Sequence, residues 1–339
     1  MRRWPILIIV FALPAFALLT CAPAGDELER QAALYESVVW PEPPLQARIR
    51  LVAVFGEPQE LGIKQSFMGR LWGWIGGAKP RHMVRPYAIA VNGKRLAVAD
   101  PGVGAVHLYD MAAGNYERIE WAGEQLLRSP VGLAFVGDAL YVADSALGNI
   151  FVFDDGAKLS RTIEGLDRPT GLAWDSQSGR LYMTDTVDHS VVVLDADGKR
   201  LFDFGGRGTG DGQFNYPSHL TLAGDRLYVN DTMNFRIQIF DLDGNFISAF
   251  GSHGDSTGDF AQPKGVGIDR EGHVYVVDAL FNRVQIFGED GKLLLVFGGD
   301  GDAPGEFWLP SGMHIAQDRI YVADSYNQRV QIFQFLGGT

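Results

Sequence analysis

The chain has 339 residues, of which 46% are hydrophobic and 21% charged, so it can bury a sizeable core. Its formal net charge of −12 opposes binding to nucleic-acid phosphates, which requires clustered Lys and Arg. The single cysteine, Cys21, excludes a disulfide within the chain, and no P-loop, Cys-x-x-Cys or His-Glu-x-x-His motif occurs. We therefore expect no nucleic-acid partner and no cofactor.

Residues 1–20 have the organisation of a secretory signal peptide. Arg2-Arg3 precedes an apolar run at 6–19, which is short for a membrane span. The run leads into Thr20 and Cys21, and Leu-Leu-Thr-Cys is similar to a bacterial lipobox, in which the cysteine is lipidated. Threonine departs from the usual Gly, Ala or Ser before that cysteine. We expect a bacterial lipoprotein anchored through Cys21 outside the cytoplasm; the alternative is an ordinary signal peptide or an uncleaved anchor.

Residues 21–46 are predicted to be a tether between the lipid and the folded domain. Its Trp-Pro-Glu-Pro-Pro segment at 40–44 favours extended backbone, which acts as a semi-rigid spacer. The folded domain is expected at 47–339. It opens with an alternating strand at 48–56 that is similar to strands that later close a repeat.

An insert at about 57–85 is longer than other connections in the chain. It contains a predicted amphipathic helix at 64–75, because four apolar residues fall on one helical face and a tryptophan lies beside them. We interpret this face either as a lid packed on the domain or as a docking surface for a membrane or partner. The residues of this docking surface are Phe67, Leu71, Trp72, Trp74 and Ile75.

Six copies of one repeat follow, about every 45 residues. Each copy has a proline that opens a strand and an Asp that ends the next strand; these are Asp100, Asp144, Asp185, Asp231, Asp278 and Asp324. A period of this length with about four short strands is typical of β-propeller blades. The last copy lacks its fourth strand, and the strand at 48–56 is an unmatched fourth strand. The fold is therefore predicted to be an all-β, six-bladed propeller of four-stranded antiparallel blades, closed by the N-terminal strand and carrying one short helical insert.

The segments Tyr-Val-x-Asp and Asn-x-Arg-Val-Gln-Ile-Phe are strongest in the repeats at 226–240, 274–287 and 320–333. They resemble the NHL-repeat family of six-bladed β-propellers, and the N-terminal pieces and long insert resemble a bacterial lipoprotein branch of it. The resemblance implies a binding scaffold, although a few propellers of this shape are enzymes.

The innermost strands supply the candidate site residues. Positions two and four after each opening proline should be small where blades converge, and nine of these twelve residues are Gly or Ala. The exceptions, His219, Thr221 and His314, are polar and are expected at the central channel, together with Asn230. His219 and His314 are possible metal ligands. Related propellers hold zinc through histidines from several blades, and here a third matching histidine is missing. A ligand-lined channel and ordinary core histidines stay as alternatives.

These observations favour a non-catalytic, membrane-tethered scaffold. One propeller face would recognise a protein, a peptide or another ligand of the cell envelope, and should then expose an apolar or aromatic patch. The alternative is a metal-dependent lyase or hydrolase at the channel.

Overall fold

The structure is a computed structural model that describes residues 33–63 and 81–337. The predicted signal peptide, Cys21 and the predicted helix with Phe67, Leu71, Trp72, Trp74 and Ile75 lie outside the described residues. Within the described ranges, no helix is both long enough and apolar enough to cross a bilayer.

The described chain is almost entirely β-structure. In chain order the strands are β1 (Val39–Trp40), β2 (Ile49–Phe55), β3 (Ala88–Asn92), β4 (Arg95–Asp100), β5 (Ala105–Asp110), β6 (Asn115–Ile119), β7 (Trp121–Ala122), β8 (Gln125–Leu126), β9 (Pro130–Val136), β10 (Ala139–Asp144), β11 (Asn149–Phe153), β12 (Leu159–Ile163), β13 (Pro169–Asp175), β14 (Arg180–Asp185), β15 (Ser190–Asp195), β16 (Arg200–Gly205), β17 (Pro217–Ala223), β18 (Arg226–Asp231), β19 (Arg236–Asp241), β20 (Phe246–Phe250), β21 (Pro263–Ile268), β22 (Val274–Asp278), β23 (Arg283–Phe287), β24 (Leu293–Phe297), β25 (Met313–Ala316), β26 (Arg319–Asp324) and β27 (Arg329–Phe335). Two 3-10 helices span Pro58–Leu61 and Thr232–Asn234.

These strands form six antiparallel blades around one axis. Blades 1 to 5 are β3–β6, β9–β12, β13–β16, β17–β20 and β21–β24, and β7 and β8 form a hairpin between the first two. Blade 6 combines β25, β26 and β27 with β2, and β1 adds a fifth strand at its outer edge. The prediction of a six-bladed propeller closed by the N-terminal strand is confirmed.

The strand β1 falls in the segment predicted as tether. Trp40 packs its ring 5.7 Å from Phe297 and 5.8 Å from Phe333, measured between centroids. The chain therefore joins the ring several residues before position 47, where the domain was expected to begin.

The apolar core is divided into six layers, one at each seam between neighbouring blades. This arrangement follows from the strand alternation, because each blade presents one apolar face to each of its neighbours. Every seam thus contributes separately to the stability of the ring.

The repeated Asp at the end of each second strand is a scaffold residue. All six are buried and accept backbone N–H bonds from the connection that precedes the blade. Asp324 also accepts bonds from the side chains of Arg329 (2.7 Å) and Gln331 (3.1 Å), and blade 4 repeats this network at Asp231. These hydrogen bonds account for the buried Asp in each blade without a metal ion.

Candidate functional site: a polar pocket at the mouth of the channel

The strands that line the axis all begin at one end of the ring, which we call the proline face. Opening prolines pair there with the buried Asp residues, as in Pro217 with Asp231 and Pro263 with Asp278. Both the connections between blades and the turns after the Asp residues lie at this face. Two cavities occupy the axis: the lower channel, lined by the innermost strands, and the mouth pocket, open at the proline face.

The lower channel has a volume of about 250 Å³. Its wall is mainly backbone and apolar side chains, and it contains His219, Thr221 and His314, three of the four residues predicted there. Asn230 was predicted with them, but it is fully buried and lies in the seam between blades 4 and 5.

His219 is held beneath Tyr87, a residue from the opposite side of the ring. Their rings are stacked with centroids 5.4 Å apart and planes 30° apart. His219 Nδ1 lies 3.1 Å from Ser218 Oγ, and its buried Nε2 has no hydrogen-bond partner within the described residues. Burial, with a smaller contribution from the charge of Lys264, lowers the pKa of His219 to about 3. The ring is therefore neutral near pH 7 and is a weak base.

His314 lies in the same channel on blade 6, and burial lowers its pKa to about 4. Two neutral imidazoles could each donate a nitrogen to a metal. The described channel lining offers no further His, Cys, Asp or Glu as a third ligand. The described residues of the channel therefore do not supply the three protein ligands that a catalytic zinc site requires.

Three carboxylates do converge elsewhere in the described chain, at Asp167, Asp185 and Asp188. Asp185 accepts N–H bonds from the backbone of Arg168 and Asp188, so the turn itself accounts for its position. Asp167 and Asp188 are exposed. We assign no metal to this cluster.

Packing between the innermost strands explains why most channel residues are small. A Cβ atom on Gly132 would lie 1.7 Å from the Thr170 carbonyl oxygen. One on Gly312 would lie 2.2 Å from the Tyr87 carbonyl oxygen, to which the Gly312 N–H donates at 2.7 Å. Position two after the proline must be glycine where backbones approach this closely.

The seam between blades 4 and 5 is built differently, because His219 stands where Gly132 and Gly312 stand in their blades. Asn230 Nδ2 donates to the Lys264 carbonyl oxygen at 2.6 Å across this seam. A side chain thus replaces the direct backbone contact, which leaves space for an imidazole. Asn230 therefore bridges the same seam that His219 borders.

The mouth pocket lies above Tyr87 and has a volume of about 410 Å³. Most of its lining residues carry a polar group, and they include two cations but no carboxylate: Tyr87, Arg168, Thr170, Thr186, Tyr216, Ser218, Thr232, Met233, Gln262 and Lys264. None of these residues was predicted as a site residue.

A sequence signal for this pocket does exist. Nine of its ten described residues occupy three repeat positions: directly before the opening proline, directly after it, and directly after the buried Asp; the tenth, Met233, is second after the buried Asp. The residues after the proline are Tyr87, Val131, Thr170, Ser218, Lys264 and Ser311, which share no size or polarity. Such variation at a fixed place shows that packing does not dictate the residue there.

An apolar crescent borders the pocket on blades 3 to 6. It consists of exposed large side chains in the turns and connections of the proline face: Val187, Tyr216, Met233, Leu280, Trp308 and Tyr326. Four of them occupy the second position after the buried Asp of their blade. The residues at this position in blades 1 and 2 are Gly102 and Ala146. At this position the large apolar side chains are therefore confined to blades 3 to 6, although the hairpin between blades 1 and 2 also exposes Trp121 and Leu126.

Three segments of the chain match known family models. Residues 95–203 match the SMP-30/Gluconolactonase/LRE-like region, residues 213–284 match a family described as a 6-bladed beta-propeller, and residues 307–333 match the NHL repeat. No curated protein matches the chain.

Several solved structures share the fold at low identity. A streptogramin B lyase is 13% identical with a TM-score of 0.57 and covers 75% of this chain and 94% of its own. A Bacteroides thetaiotaomicron protein of unknown function is 15% identical with a TM-score of 0.59, covering 76% of this chain and 70% of its own. A catalytically inactive virginiamycin B lyase from Staphylococcus aureus, solved with quinupristin, is 14% identical with a TM-score of 0.55, covering 74% and 95%. These likenesses concern the fold alone, and together with the segment matches they identify the chain as a six-bladed β-propeller carrying NHL-type and SMP-30-like segments.

Proposed function

We propose that the protein is a non-catalytic binding scaffold that recognises a protein or peptide of the cell envelope with its proline face. The observation that carries the proposal is the apolar crescent beside the mouth pocket. Large exposed apolar side chains clustered around a polar pocket are typical of interaction sites. The six residues come from four consecutive blades, so no single loop accounts for the cluster.

The aromatic end of the crescent is partly preorganised. Trp308 and Tyr326 have ring centroids 5.6 Å apart, and the Arg85 guanidinium lies 5.2 Å from the Tyr326 ring. Aromatic and Arg side chains held in place before binding lose little conformational entropy when a ligand docks. This end is the expected anchor for an apolar side chain of the partner.

The proposed place of action is the extracytoplasmic side of a bacterial membrane, in the periplasm or at the cell surface, with Cys21 as the lipid attachment site. The export signal and lipobox resemblance support this location, and the net negative charge opposes a nucleic-acid partner. The predicted insert with Trp72 and Trp74 would either cover the domain or add to the docking surface.

The alternative of a metal-dependent lyase or hydrolase receives no support from the channel. His219 and His314 have no third His, Cys, Asp or Glu beside them in the described lining, and their low pKa values make them weak bases at neutral pH.

The test is selection of peptides from a random hexapeptide library by the purified full chain. Replacing Leu280 and Tyr326 with Ser should lower recovery about tenfold, because an anchor residue contributes more than about 1.4 kcal/mol. The matched control is Leu294→Ser, since Leu294 is 55% exposed and Leu280 is 57% exposed, but Leu294 lies on an outer strand. Absence of any recovered peptide, or equal losses in both variants, would contradict the proposal.

A further inference from the structure

We propose that the mouth pocket binds a carboxylate of the ligand, with Lys264 as its counter-ion. This inference rests on the proposed function and names the chemical group that enters the pocket. A peptide C-terminus and a small organic acid can both offer this group, a single carboxylate flanked by an apolar group.

The charge of the pocket is opposite to that of the protein. The chain has 41 acidic residues against 29 Lys and Arg. The pocket lining nevertheless contains Arg168 and Lys264 and no Asp or Glu. A local positive potential within an acidic surface attracts a negative group specifically to that place.

Lys264 has no carboxylate partner of its own in the described structure. Its backbone is fixed by the bond from Asn230 to its carbonyl oxygen, the residue is half-buried, and its ammonium lies 5.7 Å from the centre of the Tyr87 ring. Lys292, by contrast, is exposed and pairs with Asp290 at 2.6 Å. An ammonium with no hydrogen bond or ion pair to the described residues retains its donors for a ligand.

The hydroxyl groups of the pocket are largely committed to one another. Thr186 donates to the Pro217 carbonyl oxygen at 2.7 Å, and Ser218 Oγ lies 2.7 Å from Thr232 Oγ1. They form a fixed polar wall. Other donors have no described side-chain bond and can turn toward a ligand, namely the Gln262 amide, the Arg168 guanidinium and the hydroxyls of Tyr87 and Tyr216. Free donors around a cation match an acceptor-only group such as a carboxylate.

The rim determines what accompanies the carboxylate. Tyr216 and Met233 belong both to the pocket lining and to the apolar crescent, and they are 42% and 50% exposed. An apolar side chain next to the carboxylate would cover them.

The experiment compares two random hexapeptide libraries attached through their N-termini, one with free C-terminal carboxylates and one with C-terminal amides. The full chain should recover the acid library about tenfold better, since a charge-assisted hydrogen bond contributes about 1.5–3 kcal/mol. Lys264→Met should remove this preference. Lys292→Met is the matched control and should retain it. Thermal unfolding shows that both variants are folded.

A third arm adds free N-acetylleucine as competitor. If N-acetylleucine displaces the acid library at concentrations close to its own dissociation constant for the chain, the pocket recognises a carboxylic acid without need of a peptide. If only peptides compete, the pocket recognises a peptide C-terminus. Equal recovery of both libraries, or an acid preference that persists in Lys264→Met, would overturn the inference and leave the scaffold proposal intact. Failure to recover either library would overturn the scaffold proposal itself.

Discussion

The lower channel and the mouth pocket lie on one axis, yet they differ in what controls their residues. In the lower channel, the backbones of neighbouring blades approach so closely that no Cβ atom fits at Gly132 or Gly312. In the mouth pocket, the residues directly after the prolines range from Val131 to Lys264 without a shared size. Packing restricts the residue types in the lower channel but not in the mouth pocket. Residues that recognise a ligand should therefore be sought in the mouth pocket.

The largest expected effect is a loss of stability when the pH is lowered, because His219 and His314 are neutral in the folded lower channel. Their pKa values are about 3 and about 4 there, below the ordinary value of 6.5. As the pH falls below about 6.5, the unfolded chain takes up protons that the folded protein does not, so stability is lost. At about pH 5 the two rings together should cost up to about 4 kcal/mol relative to pH 7.

This loss can be measured by urea unfolding of the wild type and of the double variant His219→Gln and His314→Gln. The double variant should lose clearly less stability between the two pH values, whatever its stability at pH 7. His82→Gln, at an exposed position, should follow the wild type. An unchanged pH dependence in the double variant would show that the channel does not exclude the charged rings.

A smaller effect is expected at the seam between blades 6 and 1. Gly312→Ala places a methyl group 2.2 Å from the Tyr87 carbonyl oxygen, so the backbones must separate. The free energy of unfolding should fall by about 3 kcal/mol. Gly299→Ala is the control, because nothing lies within 4 Å of its Cβ, and it should change stability by less than about 0.5 kcal/mol. Chemical denaturation measures both, and equal stabilities would refute close packing at the axis.

The smallest effect is expected where the two regions meet. Asn230→Ala leaves the Lys264 carbonyl oxygen without its donor and should cost about 1 kcal/mol. Because Asn230 also fixes the backbone of Lys264, the variant should weaken the preference for carboxylates more than Thr184→Ala does. Thr184 bridges the preceding seam to the Ser218 carbonyl oxygen at 2.9 Å and serves as the matched comparison. The same binding loss in both variants would indicate a general loosening of the ring.

The sequence was sufficient for the fold because each blade repeats the same constraints. The buried Asp, the opening proline and the strand alternation recur six times, and the missing fourth strand of blade 6 was correctly assigned to Ile49–Phe55. The tether boundary was less accurate, since β1 pairs through only two residues and leaves little alternation to detect.

The mouth pocket was not predicted, because a repeat marks a residue as unusual only at positions where the other copies share one residue type. His219 and His314 stood out at positions that otherwise require Gly or Ala. Lys264, Thr186 and Gln262 occupy positions without such a rule, so none of them departs from a pattern. Only the closure of the ring brings these residues, distant in sequence, around one axis. Asn230 was recognised as unusual, but its bond to the Lys264 carbonyl oxygen joins two blades and could not be inferred from one repeat.

The pairing of β2 with β27 has a consequence for how the ring is assembled. Arg50 and Gln334 are joined by a hydrogen bond of 2.9 Å across 284 positions of sequence. Bringing such distant segments together carries the largest loop-closure entropy in the molecule and tends to be slow. Until β2 docks, β27 presents an unpaired edge that can add a strand from another molecule. Successful folding of this protein therefore depends on intramolecular closure outpacing strand exchange between copies.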